Sequence, residues 1–158
     1  MALADDGLAI EGHGPVRNRE LLYRSIKRVY CKEQKKSGGS YLSTQALTDP
    51  QYRISVYRAA LCGNFPSHAQ AEDKDYVRVL YAEDVRAIDT VIKFDNNEPR
   101  EHYRVDVAPA PRCDGSSHAE IFTDPEITSR GVFKRLQARL VCISRWEKGY
   151  SPFDVEGE

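Results

Sequence analysis

The sequence contains no apolar run approaching the roughly 20 residues of a membrane-spanning helix, which excludes a helical span within it. Its first residues, Met1-Ala2-Leu3-Ala4-Asp5-Asp6-Gly7, lack the basic start and apolar stretch of a secretory signal, so a cytoplasmic setting is expected. Cysteines are few: Cys31, Cys62, Cys113 and Cys142 are widely spaced and form no CxxC pair. In a reducing compartment they read as free thiols rather than a disulfide framework. The nucleotide-binding fingerprints GxxxxGK[ST] and GxGxxG are also absent. Nor is there a charge excess. With 23 basic against 24 acidic residues the formal net charge is −1, so any electrostatic binding must come from a local patch.

What is present suits one globular domain. The chain has 158 residues, 41% hydrophobic and 30% charged, which lies on the globular side of the boundary with disorder. A chain of this length buries roughly 68–70% of its unfolded surface and needs no metal or disulfide merely to fold. Residues 1–18 are rich in Gly, Asp and Ala without periodicity and read as a flexible arm, 19–153 as the domain, and 154–158 as an acidic tail.

Within the domain, Asn18 to Lys36 carries Leu21, Leu22, Ile26, Val29 and Tyr30 at helical spacing, with Asn18 as a cap. That favours a helix, although Leu21–Ile26 also reads as a short strand. Gln51–Ala59 and Tyr76–Tyr81 alternate with period two and read as strands. Ala82–Ile88 follows as a short helix with acidic residues in its first turn. Thr90–Phe94 is a further strand, then a turn cluster at Asp95–Pro99, then a strand at Tyr103–Val107 stopped by Pro109 and Pro111. His118–Phe122 is the last strand. A long helix is expected after it, with Asp124 as N-cap, Pro125 at its first position and Val132, Phe133, Leu136, Leu140, Val141 and Ile143 on one face. The order predicts an α+β fold: a mostly antiparallel sheet with a long C-terminal helix packed on one face.

Three clusters have the residue types for chemistry. Cys113, Asp114, His118 and Glu120 are metal-ligand types, and His118 and Glu120 share one side of a strand. The close pairs that zinc sites use are missing, and Cys62 and His68 join only if the fold brings them across, so no metal is expected. His118 and Glu120 also suit acid–base work. Arg24 with Ser43 and Thr44 offers a phosphate clamp and hydroxyls for a ribose; the alternative is a surface arginine beside a helix cap or strand end. Finally, Arg130, Lys134, Arg135 and Arg139 stack at four-residue spacing on the outer face of the last helix, with Arg145 and Lys148 beyond. Such a stripe costs stability unless something acidic meets it, the alternative being a solvated face answered by the many Asp and Glu elsewhere; its lack of interleaved aromatics argues against single-stranded nucleic acid.

Leu22-Tyr23-Arg24-Ser25-Ile26, the stretch Ser43–Val56 with Ala46, Asp49 and Ile54-Ser55-Val56, and His118-Ala119-Glu120-Ile121 resemble a loose group of small uncharacterised bacterial proteins. In that group a Leu-Tyr-Arg opening precedes a serine-rich strand, which implies a strand at Tyr23-Arg24. Arg24, Ser43-Thr44 and Glu120, in that order, also resemble the ADP-ribosyltransferase folds. That resemblance implies an arginine on the dinucleotide NAD, a supporting serine and a glutamate facing the ribosyl cation; the paired-glutamate loop of those folds is missing. Two functions are thus expected to compete. One is an accessory binding module of a bacterial system, docking to a protein or nucleic-acid partner through Arg130, Lys134, Arg135 and Arg139. The other is a small enzyme acting on a nucleotide or dinucleotide, with Arg24, Ser43, His118 and Glu120 in one pocket.

Overall fold

A computed structural model describes residues 2–3, 9–10, 14–34, 39–88, 90–95, 98–110 and 117–152. Eleven strands occur among them: β1 (Ala2–Leu3), β2 (Ala9–Ile10), β3 (Leu21–Ile26), β4 (Cys31–Gln34), β5 (Gly39–Leu42), β6 (Ile54–Arg58), β7 (Tyr76–Tyr81), β8 (Thr90–Asp95), β9 (Glu98–Pro109), β10 (His118–Asp124) and β11 (Arg145–Trp146). The helices are α1 (Ala82–Ala87) and α2 (Arg130–Ile143). Seven strands form one antiparallel sheet in the order β11-β7-β3-β6-β10-β9-β8, while β1 pairs with β2 and β4 with β5. The architecture is α+β with α2 against one face. No helix among the described residues is long and apolar enough to cross a membrane.

Alternation along the strands builds the core. Leu22, Ile54, Val56, Leu80, Val105, Val107, Ala119 and Ile121 point to the face covered by Val132, Phe133, Leu136 and Leu140 of α2 and by Val85 of α1. A smaller cluster on the opposite face sets Tyr23, Val77 and Val79 beneath Ala59, Cys62 and Ala69 of two 3₁₀ turns, Ala59–Cys62 and Pro66–Ala69. Helix α1 touches both β7 and β9, which lie four positions apart in the sheet, so the sheet curls toward α1.

The helix expected across Asn18–Lys36 is instead strand β3, a 3₁₀ turn at Arg28–Tyr30 and strand β4. The cause is two-sided burial. Leu22 and Ile26 are sealed on the face of α2 and Tyr23 on the other, so consecutive apolar residues imitate helical spacing. Val29, a member of the supposed stripe, is 75% exposed. The start of the last helix also differs. The ladder with β9 runs through Asp124, paired with Arg104, and so claims the expected cap for the sheet. Ser129 caps α2, its Oγ accepting from the Val132 N–H at 3.5 Å.

The ordered domain also reaches back into the expected arm. Val16 is buried in the main core, and the carbonyls of Gly14 and Pro15 accept from Arg58 at 2.8 and 3.1 Å. Residues 154–158 lie outside the described residues. At the other end of the sheet Arg78 closes the C-terminus of α2. It donates to Ser144 Oγ at 2.9 Å, to Ser144 O at 2.7 Å and to Val141 O at 3.2 Å, and it lies over the Trp146 ring. Burial pushes its guanidinium down to about 10, which still leaves it charged at neutral pH.

The N-terminal segment is held by a buried ion pair. Arg58 Nε and Nη2 meet Glu20 Oε1 and Oε2 at 2.7 and 2.9 Å, with side chains 0% and 3% exposed. Removing one partner strands the other's charge in the interior, which costs about 3–5 kcal/mol. Arg58→Ala is therefore expected to lose that much in urea unfolding, and Arg58→Met with Glu20→Leu clearly less. Equal losses in the single and double variants contradict this assignment.

Candidate functional site

Strands β3 and β6 pair only at Leu22–Arg58 and Tyr23–Tyr57. Beyond that they separate, and Arg24 fills the gap. Its Nε and Nη2 donate to Ala46 O at 3.2 and 2.8 Å, and its Nη1 donates to Asp49 Oδ2 at 2.6 Å and to Ser55 O at 2.9 Å. Asp49 Oδ2 in turn accepts the Ser55 N–H at 2.7 Å. The backbone groups of Ser55 that face the gap are thus satisfied by an ion pair in place of a strand. Of the five N–H groups of a guanidinium, four are committed here.

This arrangement leaves a cleft of about 300 Å³ beside Arg24 and Asp49, lined also by Lys27, Tyr30, Tyr57 and Asp75. The other residues expected to share a pocket with Arg24 do not line it. Ser43 caps the 3₁₀ turn Thr44–Leu47, its Oγ accepting from the Gln45 N–H at 3.3 Å. His118 and Glu120 do share one side of β10, opposite Tyr57 and Ser55 of β6. Their environments are unlike. Glu120 accepts from Arg53 Nη1 at 3.1 Å, and Arg53 lies over the Phe122 ring and reaches Glu126 at 3.4 Å. The hydrogen bond to Glu120, foremost, pushes Arg53 above its usual basicity.

His118 is 2% exposed and sits edge-on to Tyr57. Its Nδ1 lies 2.7 Å from Ala110 O. A carbonyl only accepts, so Nδ1 carries the proton that meets it. Nε2 is buried and has no partner among the described residues.

Cys113 and Asp114 lie outside the described residues. Cys62 and His68 do come together, but through His68 Nδ1 and the Cys62 carbonyl at 3.0 Å rather than through the thiol. Burial pushes the Cys62 thiol up, against a weaker lowering by Ser117, which disfavours a nucleophilic thiolate. Among the described residues no three His, Cys, Asp or Glu side chains are grouped to hold a metal.

The outer face of α2 is a second candidate. Val132, Phe133, Leu136 and Leu140 are buried against the sheet, which turns Arg130, Lys134, Arg135 and Arg139 outward, and all four are exposed. The helix contains no acidic residue. Arg135 has a partner within the chain, whereas Arg130, Lys134 and Arg139 make no ion pair among the described residues. Asp49 and Asp75 were not singled out as site residues by their types. Asp49 carries a signal in hindsight, since an aspartate in a Thr-Asp-Pro turn commonly binds nearby backbone. Asp75 carries none.

Compared with protein-family models, curated proteins and solved structures, the chain matches none.

Because Arg24 serves three acceptors with a planar fork, lysine cannot replace it. Arg24→Lys is expected to cost about 2 kcal/mol by leaving a carbonyl or carboxylate unsatisfied. Calorimetry should register this as a fall in melting temperature of roughly 4–8 °C for a domain of this size. An unchanged melting temperature means that the clamp is dispensable.

Proposed function

We propose that this domain is an accessory binding module of a bacterial cytoplasmic system, docking an acidic face of a partner protein through the outer surface of α2. The observation that carries this reading is the row of Arg130, Lys134 and Arg139: exposed, on a helix without acidic residues, and without ion pairs among the described residues. Like charges at four-residue spacing cost a few tenths of a kcal/mol per pair, roughly, in an isolated helix. A protein tolerates that without benefit, but an acidic partner turns the cost into affinity and on-rate.

An acidic protein face suits the row better than nucleic acid does. The net charge of −1 gives no long-range attraction to a polyanion. No aromatic side chain stands among the outward residues of the helix to stack on a base. The competing reading, an enzyme using NAD, draws less support, because only Arg24 of Arg24, Ser43, His118 and Glu120 lines the cleft.

The test is fluorescence anisotropy with a labelled Glu-rich peptide and a labelled mixed-sequence DNA duplex, at low and physiological salt. The peptide is expected to bind in a salt-dependent way and the duplex more weakly. Lys134→Glu with Arg139→Glu should cut peptide affinity by about tenfold, or 1.4 kcal/mol. Arg135 is left alone because it has a partner inside the chain. Binding that survives the double reversal, or tighter binding of the duplex, overturns the reading.

A further inference from the structure

The cleft beside Arg24 holds two aspartates that each use a single carboxylate oxygen inside the protein. Asp49 Oδ2 accepts from both Arg24 Nη1 and the Ser55 N–H, at 2.6 and 2.7 Å. Asp75 Oδ2 accepts from Ser25 Oγ at 2.8 Å and from the Glu72 N–H at 3.1 Å. Among the described residues neither Oδ1 accepts anything.

The two differ in charge compensation. Asp49 is neutralised by Arg24, whereas Asp75, at 6% exposure, has no cation within ion-pair distance among the described residues. Its Oδ1 is nevertheless not sealed. The one side-chain polar atom that is both buried and unpartnered among the described residues is His118 Nε2, so Asp75 Oδ1 reaches open space. Asp75 lines this cleft and borders a neighbouring one of about 370 Å³.

A carboxylate so little exposed, with half its acceptor capacity turned to the cleft and no ion pair among the described residues, suits a cationic guest. A metal ion is a poor fit, because no third ligand of the usual types is grouped with the pair among the described residues. An ammonium group fits better: it brings three donors, and Tyr30 and Tyr57 offer ring surface to its carbon chain. The opposite sign stands in the same lining. Lys27 is exposed and without an ion pair among the described residues, while the charge of Arg24 is already taken by Asp49.

We propose that this cleft binds a small zwitterion of the free amino-acid class, its ammonium on Asp75, its acid group on Lys27 and its side chain against Tyr30 and Tyr57. A volume of about 300 Å³ stands at the lower bound of small-molecule sites and suits an amino acid rather than a dinucleotide. The site is separate from the outer face of α2, and occupancy at either can be measured without the other.

The experiment is a thermal-shift screen of the full chain against the free amino acids one at a time, followed by calorimetric titration of the strongest. Butylamine and butyrate serve as the amine-only and acid-only probes. At least one amino acid is expected to raise the melting temperature by several degrees at about 100 times its Kd. Both single-charge probes should bind at least about tenfold more weakly, since each engages one of the two groups. Asp75→Asn and Lys27→Glu should each weaken the amino acid about tenfold. If Asp75→Asn does not fold, Lys27→Glu, on an exposed side chain, decides alone. No shift with any amino acid, unchanged affinity in the variants, or butyrate binding as tightly as the amino acid each overturns the proposal.

Discussion

The structure depends on how the sheet survives a break in its own ladder. Strands β3 and β6 lie in the middle of the sheet, yet they exchange only two residue pairs before separating. A buried backbone group without a partner costs about 1–3 kcal/mol, so Ser55, facing the gap with both its N–H and its C=O, needs substitutes. Arg24 supplies the donor and Asp49 the acceptor, and the two are tied to each other at 2.6 Å. An ion pair here acts as a missing piece of strand. Because it is thinner than a strand, the gap remains open enough to form a cleft.

That substitution redirects the functional reading. An arginine whose donors serve Ala46, Asp49 and Ser55 is occupied by the fold and has little left for a phosphate. Among the described residues, charges without an ion pair stand instead at Arg130, Lys134 and Arg139 on the outer face of α2 and at Asp75 and Lys27 of the cleft. Helix α2 connects the two regions. Its inner Gln137 donates to Leu47 O at 3.0 Å and to Thr48 Oγ1 at 2.9 Å, holding the segment that carries Ala46 and Asp49. One helix thus presents a cationic face to solvent and secures one wall of the cleft.

Much of the architecture was legible in the sequence, for local reasons. Tyr76–Tyr81, Ala82–Ala87 and the late strand from His118 follow period two or a helical first turn over a few residues, and the fold keeps them. The same rule failed at Leu21–Ile26, where burial on both faces erases the alternation that marks a strand. It failed at Asp124 because a good helix-start signal lost to a ladder with β9 that no local pattern reveals. The candidate site was harder to read. Arg24 is conspicuous by its type, but its partner Asp49 is 25 residues away, and Ser25 meets Asp75 across 50. Side-chain chemistry suggests what a residue can do; only the pairing of distant strands decides what it faces.

The most direct test of this account is amide hydrogen exchange at Ser55, followed by NMR in the parent chain and in Asp49→Ala. If the Arg24–Asp49 pair replaces the missing ladder, the Ser55 amide is protected in the parent and exchanges like an exposed amide in the variant. The amides of Val77 and Val79 in β7 should keep their protection, because the Val77 N–H donates to Tyr150 O at 2.9 Å and Val79 pairs with Arg145 of β11, both away from the gap. A Ser55 amide equally protected in both chains, or unprotected in the parent, contradicts the account.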